Sequence, residues 1–115
     1  MTGKAYSNTR RYQRHSMDAP IRVIVHRTRK TTVFLARGNE LSEGGMALTA
    51  GVELNPGDET EIEFTPPYSR LPIRIRGIVR NRAGHRYGME FVAADARENE
   101  QVDRLRLLLV VMSTN

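Results

Sequence analysis

Two short stretches carry the side chains best suited to recognising a ligand. The first is Arg10-Arg11-Tyr12-Gln13-Arg14, with paired guanidiniums at positions 10 and 14 and a third at 11. The second is Glu40-Leu41-Ser42-Glu43-Gly44-Gly45, which offers a carboxylate, a hydroxyl and two glycines. A guanidinium forks onto a phosphate, pairs bidentately with guanine O6 and N7, and stacks flat on a base. A carboxylate such as Glu40 accepts from guanine N–H groups, Ser42 donates to a phosphate or accepts from a base, and glycine lets a ligand approach the backbone closely. Arginines for acceptors and a carboxylate for donors make a complementary set, and guanine nucleotides suit it. The plainer readings are a solvated basic tail for the first stretch and a β-turn for the second. In that turn Ser42 bonds nearby backbone and Gly44 or Gly45 supplies a positive φ.

Charge favours the ligand reading. Residues 1–30 hold eight basic side chains (Lys4, Arg10, Arg11, Arg14, Arg22, Arg27, Arg29, Lys30) against Asp18 alone, a local +7. The remaining ten basic and twelve acidic residues give −2, so the whole excess of +5 comes from the first quarter and points an anionic partner there. Catalysis has little to work with. His15, His26 and His85 fall in no nucleophile or metal motif, no glycine-rich phosphate loop is present, and the absence of cysteine removes thiolate and disulfide chemistry. The expectation is a binding protein rather than an enzyme, with no metal and no cofactor.

The elements that must position these groups follow from periodicity. At 115 residues the chain has the size of one domain. Residues 1–9 are polar and read as a flexible lead-in. From Pro20, Ile21, Val23 and Val25 alternate with Arg22, Ile24 and His26, the period of a half-buried strand. Residues 27–31 make the turn into a second strand, "TTVFLARGN", and "MALTA" forms a third after the Ser-Glu-Gly-Gly turn. Pro56-Gly57 fits a type II turn. "ETEIEF" then turns Glu59, Glu61 and Glu63 outward from Thr60, Ile62 and Phe64, and "IRIRGIVR" sets Arg74, Arg76 and Arg80 against Ile73, Ile75 and Val79. Acidic and basic strands side by side gain up to about 1 kcal/mol per cross-strand pair. The arginine stripe reads as a solvated face. "NRAGHR" is a hairpin turn and "YGMEFVA" a sixth strand. Beyond it Val102, Leu105, Leu109 and Met112 recur at helical spacing, with Asp95 and Glu98 placed as a capping pair. Leu105, Leu108, Leu109 and Val110 read as core or interface, covering a barrel mouth or a second copy. The fold class is therefore mainly β: six short strands forming a small closed or nearly closed barrel, with a C-terminal α-helix.

The two stretches, taken in order, resemble the paired motifs of the PilZ family, RxxxR followed by [D/N]xSxxG. The likeness continues through "APIRVIV", "LSEGGMAL", "PGDETEIEF", "IRGIVR" and "YGMEFV". The resemblance implies a single PilZ domain over residues 10–115, a six-stranded antiparallel barrel whose ligand is the bacterial second messenger cyclic di-GMP. It implies that Arg10 and Arg14, with Arg11 adjacent, fold over the ligand from an N-terminal segment, and that Glu40, Ser42 and Gly45 meet a guanine from the barrel surface. Glu40 departs from the family's Asp or Asn, with Asn39 one position out of register. The ligand-ordered segment would be read by a downstream protein partner. A degenerate barrel acting as a protein adaptor without nucleotide is the alternative. RNA or single-stranded DNA binding is disfavoured because stacking aromatics are sparse, with three Phe, four Tyr and no Trp. The N-terminus lacks the apolar centre of a signal peptide and no apolar run reaches the roughly 20 residues of a membrane span, so the expectation is a cytoplasmic bacterial protein without membrane insertion, the apolar helix being a candidate dimer surface.

Overall fold

The computed structural model describes residues 13–66 and 69–113. The lead-in expected over residues 1–9 lies outside them. Six antiparallel strands close into a barrel in the order β1-β2-β3-β6-β5-β4. They are β1 (His15–Arg27), β2 (Lys30–Leu41), β3 (Gly45–Ala50), β4 (Glu59–Phe64), β5 (Ile73–Ala83) and β6 (Arg86–Val92), followed by one helix, α1 (Ala96–Ser113). Closure follows from β1 pairing with β2 on one side and with β4 on the other, so no long ladder edge is left open.

The alternation read from the sequence lines the interior. Ile21, Val23 and Val25 of β1 meet Ile62 of β4, Ile75 and Val79 of β5 and Leu48 of β3, all at most 3% exposed. Ile24, expected outside, is also buried at 6%. Three strands are longer than expected: β1 has 13 residues, β2 12 and β5 11. The first strand begins at His15, five residues ahead of Pro20, because its polar start pairs with the end of β2, His15 to Leu41 and Ser16 to Glu40. A bulge between Ser16 and Ala19 breaks the two-residue period there. Pro20 falls where β1 has a neighbour on one side only, the edge-like setting in which a strand tolerates proline. The first turn shrinks to Thr28 and Arg29, and β5 runs on to Ala83, leaving Gly84, at φ 64°, and His85 to make the hairpin. Gly57 has φ 96°, as the Pro-Gly turn requires.

The acidic and basic strands do lie together. Glu63 stands between Arg74 of β5, at 3.1 Å, and Arg22 of β1, at 3.6 Å. Arg76 instead reaches the helix at Glu98, 2.8 Å away. Asp95 Oδ1 accepts from the Glu98 N–H at 2.8 Å, and Glu98 Oε1 reaches back to the Ala94 N–H at 2.6 Å, a reciprocal cap of the helix start. Further along, Arg104 donates to the carbonyls of Pro72 and Leu71. Leu105, Leu108 and Leu109 of α1 join the core cluster. Val110 does not; it is 60% exposed, beside exposed Leu107 and Val111, because the stripe facing the barrel is narrower than the apolar run. No helix among the described residues is long and apolar enough to cross a membrane.

One buried polar link ties the closing loop to the wall. Tyr87 of β6, fully buried, accepts from the Leu54 N–H at 3.1 Å and donates to the Val52 carbonyl at 2.8 Å. Replacing it by Phe keeps the ring but removes the partner of a buried N–H, which costs about 1–3 kcal/mol. Tyr87→Phe should therefore lower the urea midpoint with an unchanged m-value; an unchanged midpoint would show that water replaces the phenol.

Candidate functional site

The side chains singled out in the two motifs converge on the outside of the barrel wall. Arg14, Glu40, Ser42 and Gly45 all line one groove of ≈ 930 Å³, floored by the outer faces of β3, β6 and β5. Arg10 and Arg11 lie outside the described residues. The volume is at the upper end of the roughly 300–1,000 Å³ usual for small-molecule sites. Its floor is flat because the register sets Glu40, Ala47, Gly88 and Asn81 side by side across four strands, with two near side-chain-free positions in the middle.

Glu40, rather than Asn39, reaches this groove for a backbone reason. A bulge between Gly38 and Glu40 leaves Asn39 as the extra residue of β2, and its Oδ1 accepts from the Thr49 hydroxyl at 2.8 Å. Of the two residues, Glu40 is the one that lines the groove. The Glu40 Oε1 atom lies 3.8 Å from Arg14 and 3.9 Å from Arg86.

Ser42 organises the turn between β2 and β3. Its Oγ accepts from the N–H groups of Gly44 and Gly45, both at 3.2 Å, and its own N–H donates to the Gly45 carbonyl at 2.9 Å. Both lone pairs of the hydroxyl are thereby engaged, and its proton, directed weakly at the Gly45 carbonyl 3.4 Å away, is what a ligand can compete for. The glycines serve space rather than torsion. Neither Gly44 nor Gly45 has a positive φ, contrary to the expectation for a simple turn. A Cβ on Gly45 would run into the Met89 carbonyl oxygen, because β3 and β6 draw together there and the Phe91 N–H bonds the Gly44 carbonyl at 2.9 Å.

Sequence reasoning missed four groove residues. Arg86 follows the last hairpin, and Arg80, solvent-exposed as expected, lines the groove beside a bulge of β5 between Val79 and Asn81. Arg80 Nε donates to Glu90 at 2.6 Å. Arg106 arrives from α1 and donates to Glu43 at 2.7 Å and to Asp103 at 3.0 Å. Hydrogen bonding to Glu43, then its negative charge, raises the Arg106 pKa above its ordinary value. Asn81 covers Gly88 with its amide. A net charge concentrated at the N-terminus was the only signal of a cationic site; these arginines lie beyond it and come together only through strand order.

The model of the PilZ domain matches residues 8–107. The chain belongs to the PilZ domain family. No curated protein matches the sequence. Solved structures share the fold at low identity. The PilZ domain of CeSA from a cellulose-synthesizing bacterium superposes with a TM-score of 0.67 at 14% identity, covering 87% of this chain and 98% of that one. The PilZ domain with c-di-GMP of YcgR from Escherichia coli gives 0.59 at 17%, covering 90% and 92%. The Bacillus subtilis inhibitor of motility, MotI/DgrA, gives 0.63 at 15%, covering 91% of this chain and 52% of that protein, so the PilZ chain described here spans about half its length. The six-stranded antiparallel barrel with a C-terminal helix is the PilZ architecture.

The close approach at Gly45 generates a test without ligand. Gly45→Ala forces β3 from β6 or distorts the turn, and overpacking of this kind costs about 1–3 kcal/mol. The expected outcome is a lower denaturant midpoint for the free protein; a midpoint equal to wild type would mean that the two strands separate freely.

Proposed function

We propose that this PilZ domain is a receptor for cyclic di-GMP, held in the groove beside β2, β3 and β6, and that ligand binding alters a surface read by a protein partner. The observation that carries the reading is the convergence of Arg14, Glu40, Ser42 and Gly45 on one groove together with Arg86. Family membership supports the ligand, since PilZ domains are a cyclic di-GMP receptor family. In this reading Arg14 and Arg86 meet phosphate oxygens and the Ser42 hydroxyl donates a hydrogen bond. The small Ala47 side chain beside Glu40 leaves room for a ring on the outer face of β3. Arg10 and Arg11 precede Arg14 by four and three residues, and in this reading the short segment that carries them folds over the ligand.

Ordering that short segment costs roughly 1–2 kcal/mol per residue. Charge-assisted bonds from several arginines to phosphate offset it. A route to the partner is supported by Glu43, which belongs to the Ser42 turn and bonds Arg106 of α1. A ligand that draws Glu43 or Arg106 out of this bond alters the link between the turn and the helix that carries the exposed Leu107, Val110 and Val111. Differential affinity of the ligand for the two arrangements is what would make this a switch.

The adaptor reading has one observation of its own. Glu40 already stands against Arg14 and Arg86, so these two groove arginines have a counter-charge without any ligand. Calorimetric titration with cyclic di-GMP separates the two. The receptor reading expects saturable heat, with binding about 10- to 100-fold weaker in Arg14→Ala, the loss of a charged hydrogen bond worth about 1.5–3 kcal/mol. No heat at high micromolar ligand, or the same affinity in Arg14→Ala, would leave only the adaptor.

A further inference from the structure

Four arginines line the groove among the described residues, and each faces a carboxylate that lines it too. Two of the pairings are closed hydrogen bonds, Arg80 to Glu90 at 2.6 Å and Arg106 to Glu43 at 2.7 Å. Glu40 is different. One of its oxygens serves two guanidiniums at once, Arg14 at 3.8 Å and Arg86 at 3.9 Å, both beyond hydrogen-bond reach. Charge alone holds it there, in a site where the side chains are 36–62% exposed.

A lone carboxylate oxygen between two forked donors uses little of what they offer. Each guanidinium presents several N–H groups in a plane and is best matched by an anion with two free oxygens at about 2.7–2.9 Å. A phosphodiester has that form, with one negative charge shared by two non-bridging oxygens. It cannot simply join Glu40, because two anions between the same pair of cations repel each other at short range. The anion that bonds both arginines must evict the one already present.

Resting on the reading of this groove as a cyclic di-GMP site, we propose that Arg86 is a phosphate-binding residue and that Glu40 is its built-in competitor. In the free protein Glu40 occupies the place between Arg14 and Arg86 that a phosphodiester of the ligand takes in the complex. Glu40 thereby sets the ligand concentration at which the domain responds. The longer side chain at the family's Asp or Asn position is then a tuning element. Asn39 cannot substitute for it, since the bulge of β2 commits that amide to Thr49.

Cyclic di-GMP is titrated calorimetrically into the wild type, Glu40→Gln, Arg86→Gln and the double variant, with amide spectra confirming the fold of each. Exposed ion pairs are each worth up to about fivefold, so removing the charge of Glu40 should tighten binding about three- to tenfold. Arg86→Gln should weaken it about tenfold or more. The gain from Glu40→Gln should shrink when Arg86 is already absent. In the free protein, Glu40→Gln should also shift the Nε–H signals of Arg14 and Arg86. Equal or weaker binding by Glu40→Gln, while the wild type binds, overturns the competitor role, and unchanged binding by Arg86→Gln overturns the phosphate role. A silent wild type beside a binding Glu40→Gln supports the competitor and contradicts the receptor reading of the native chain. Silence from every variant overturns the nucleotide reading and this inference together.

Discussion

Where β3 passes Gly45, the Met89 carbonyl of β6 takes the volume a side chain would need, and the placement of the whole site depends on that approach. It pins the turn of residues 42–45 from the far side while Ser42 closes it from within through two backbone amides. The consequence is a fixed ledge. Glu40 and Ser42 project from it, and the adjoining wall sets Ala47 of β3, Gly88 of β6 and Asn81 of β5 in a row beside Glu40. The arginine of the first motif enters from the start of β1, whose pairing with the end of β2 brings Arg14 beside that ledge. Backbone pairing thus places one half of the groove's motif residues and the entry of the chain places Arg14.

Charge in this PilZ domain is arranged by pairs rather than by patches. On the opposite side of the barrel Glu63 stands between Arg22 and Arg74, which match strand to strand and disfavour slipped registers. Exposed pairs of this kind add little stability singly. In the groove the same habit has another effect. Carboxylates at Glu43 and Glu90 hold Arg106 and Arg80 by short bonds, whereas Arg14 and Arg86 share the one loosely held carboxylate. Arg14 and Arg86 are thus the groove arginines whose carboxylate contact is not a hydrogen bond. Glu43 connects the ledge to α1, so site and helix belong to one mechanical unit.

Much of this was legible in the residues themselves. The stretch from Glu59 to Phe64 alternates without interruption and forms a strand with those bounds, and the period of the last segment gives the helix with its Asp95 and Glu98 cap. Legibility fails where bulges interrupt the period. The start of β1 is polar and bulged, so nothing in Ser16 to Pro20 announces a strand. Arg80 reads as one more outward residue of a basic stripe, and only the neighbouring β6 makes that outer face part of the groove. Arg86 stands 46 positions after Glu40 and meets it only because β6 lies next to β3. Strand order is a long-range outcome that local pattern does not encode. Gly45 was legible as important but for another reason: its need is room, not a left-handed torsion.

The central claim is that cyclic di-GMP occupies the outer groove and no other part of the barrel. A titration followed by amide and arginine side-chain NMR tests it most directly. The account predicts saturable shifts at Glu40, Ser42, Gly44, Gly45 and Arg86, with Arg106 following through Glu43 and with His26 and Thr31 at the far end of the barrel unmoved. Shifts confined to the His26 end, or none at saturating ligand, would contradict it.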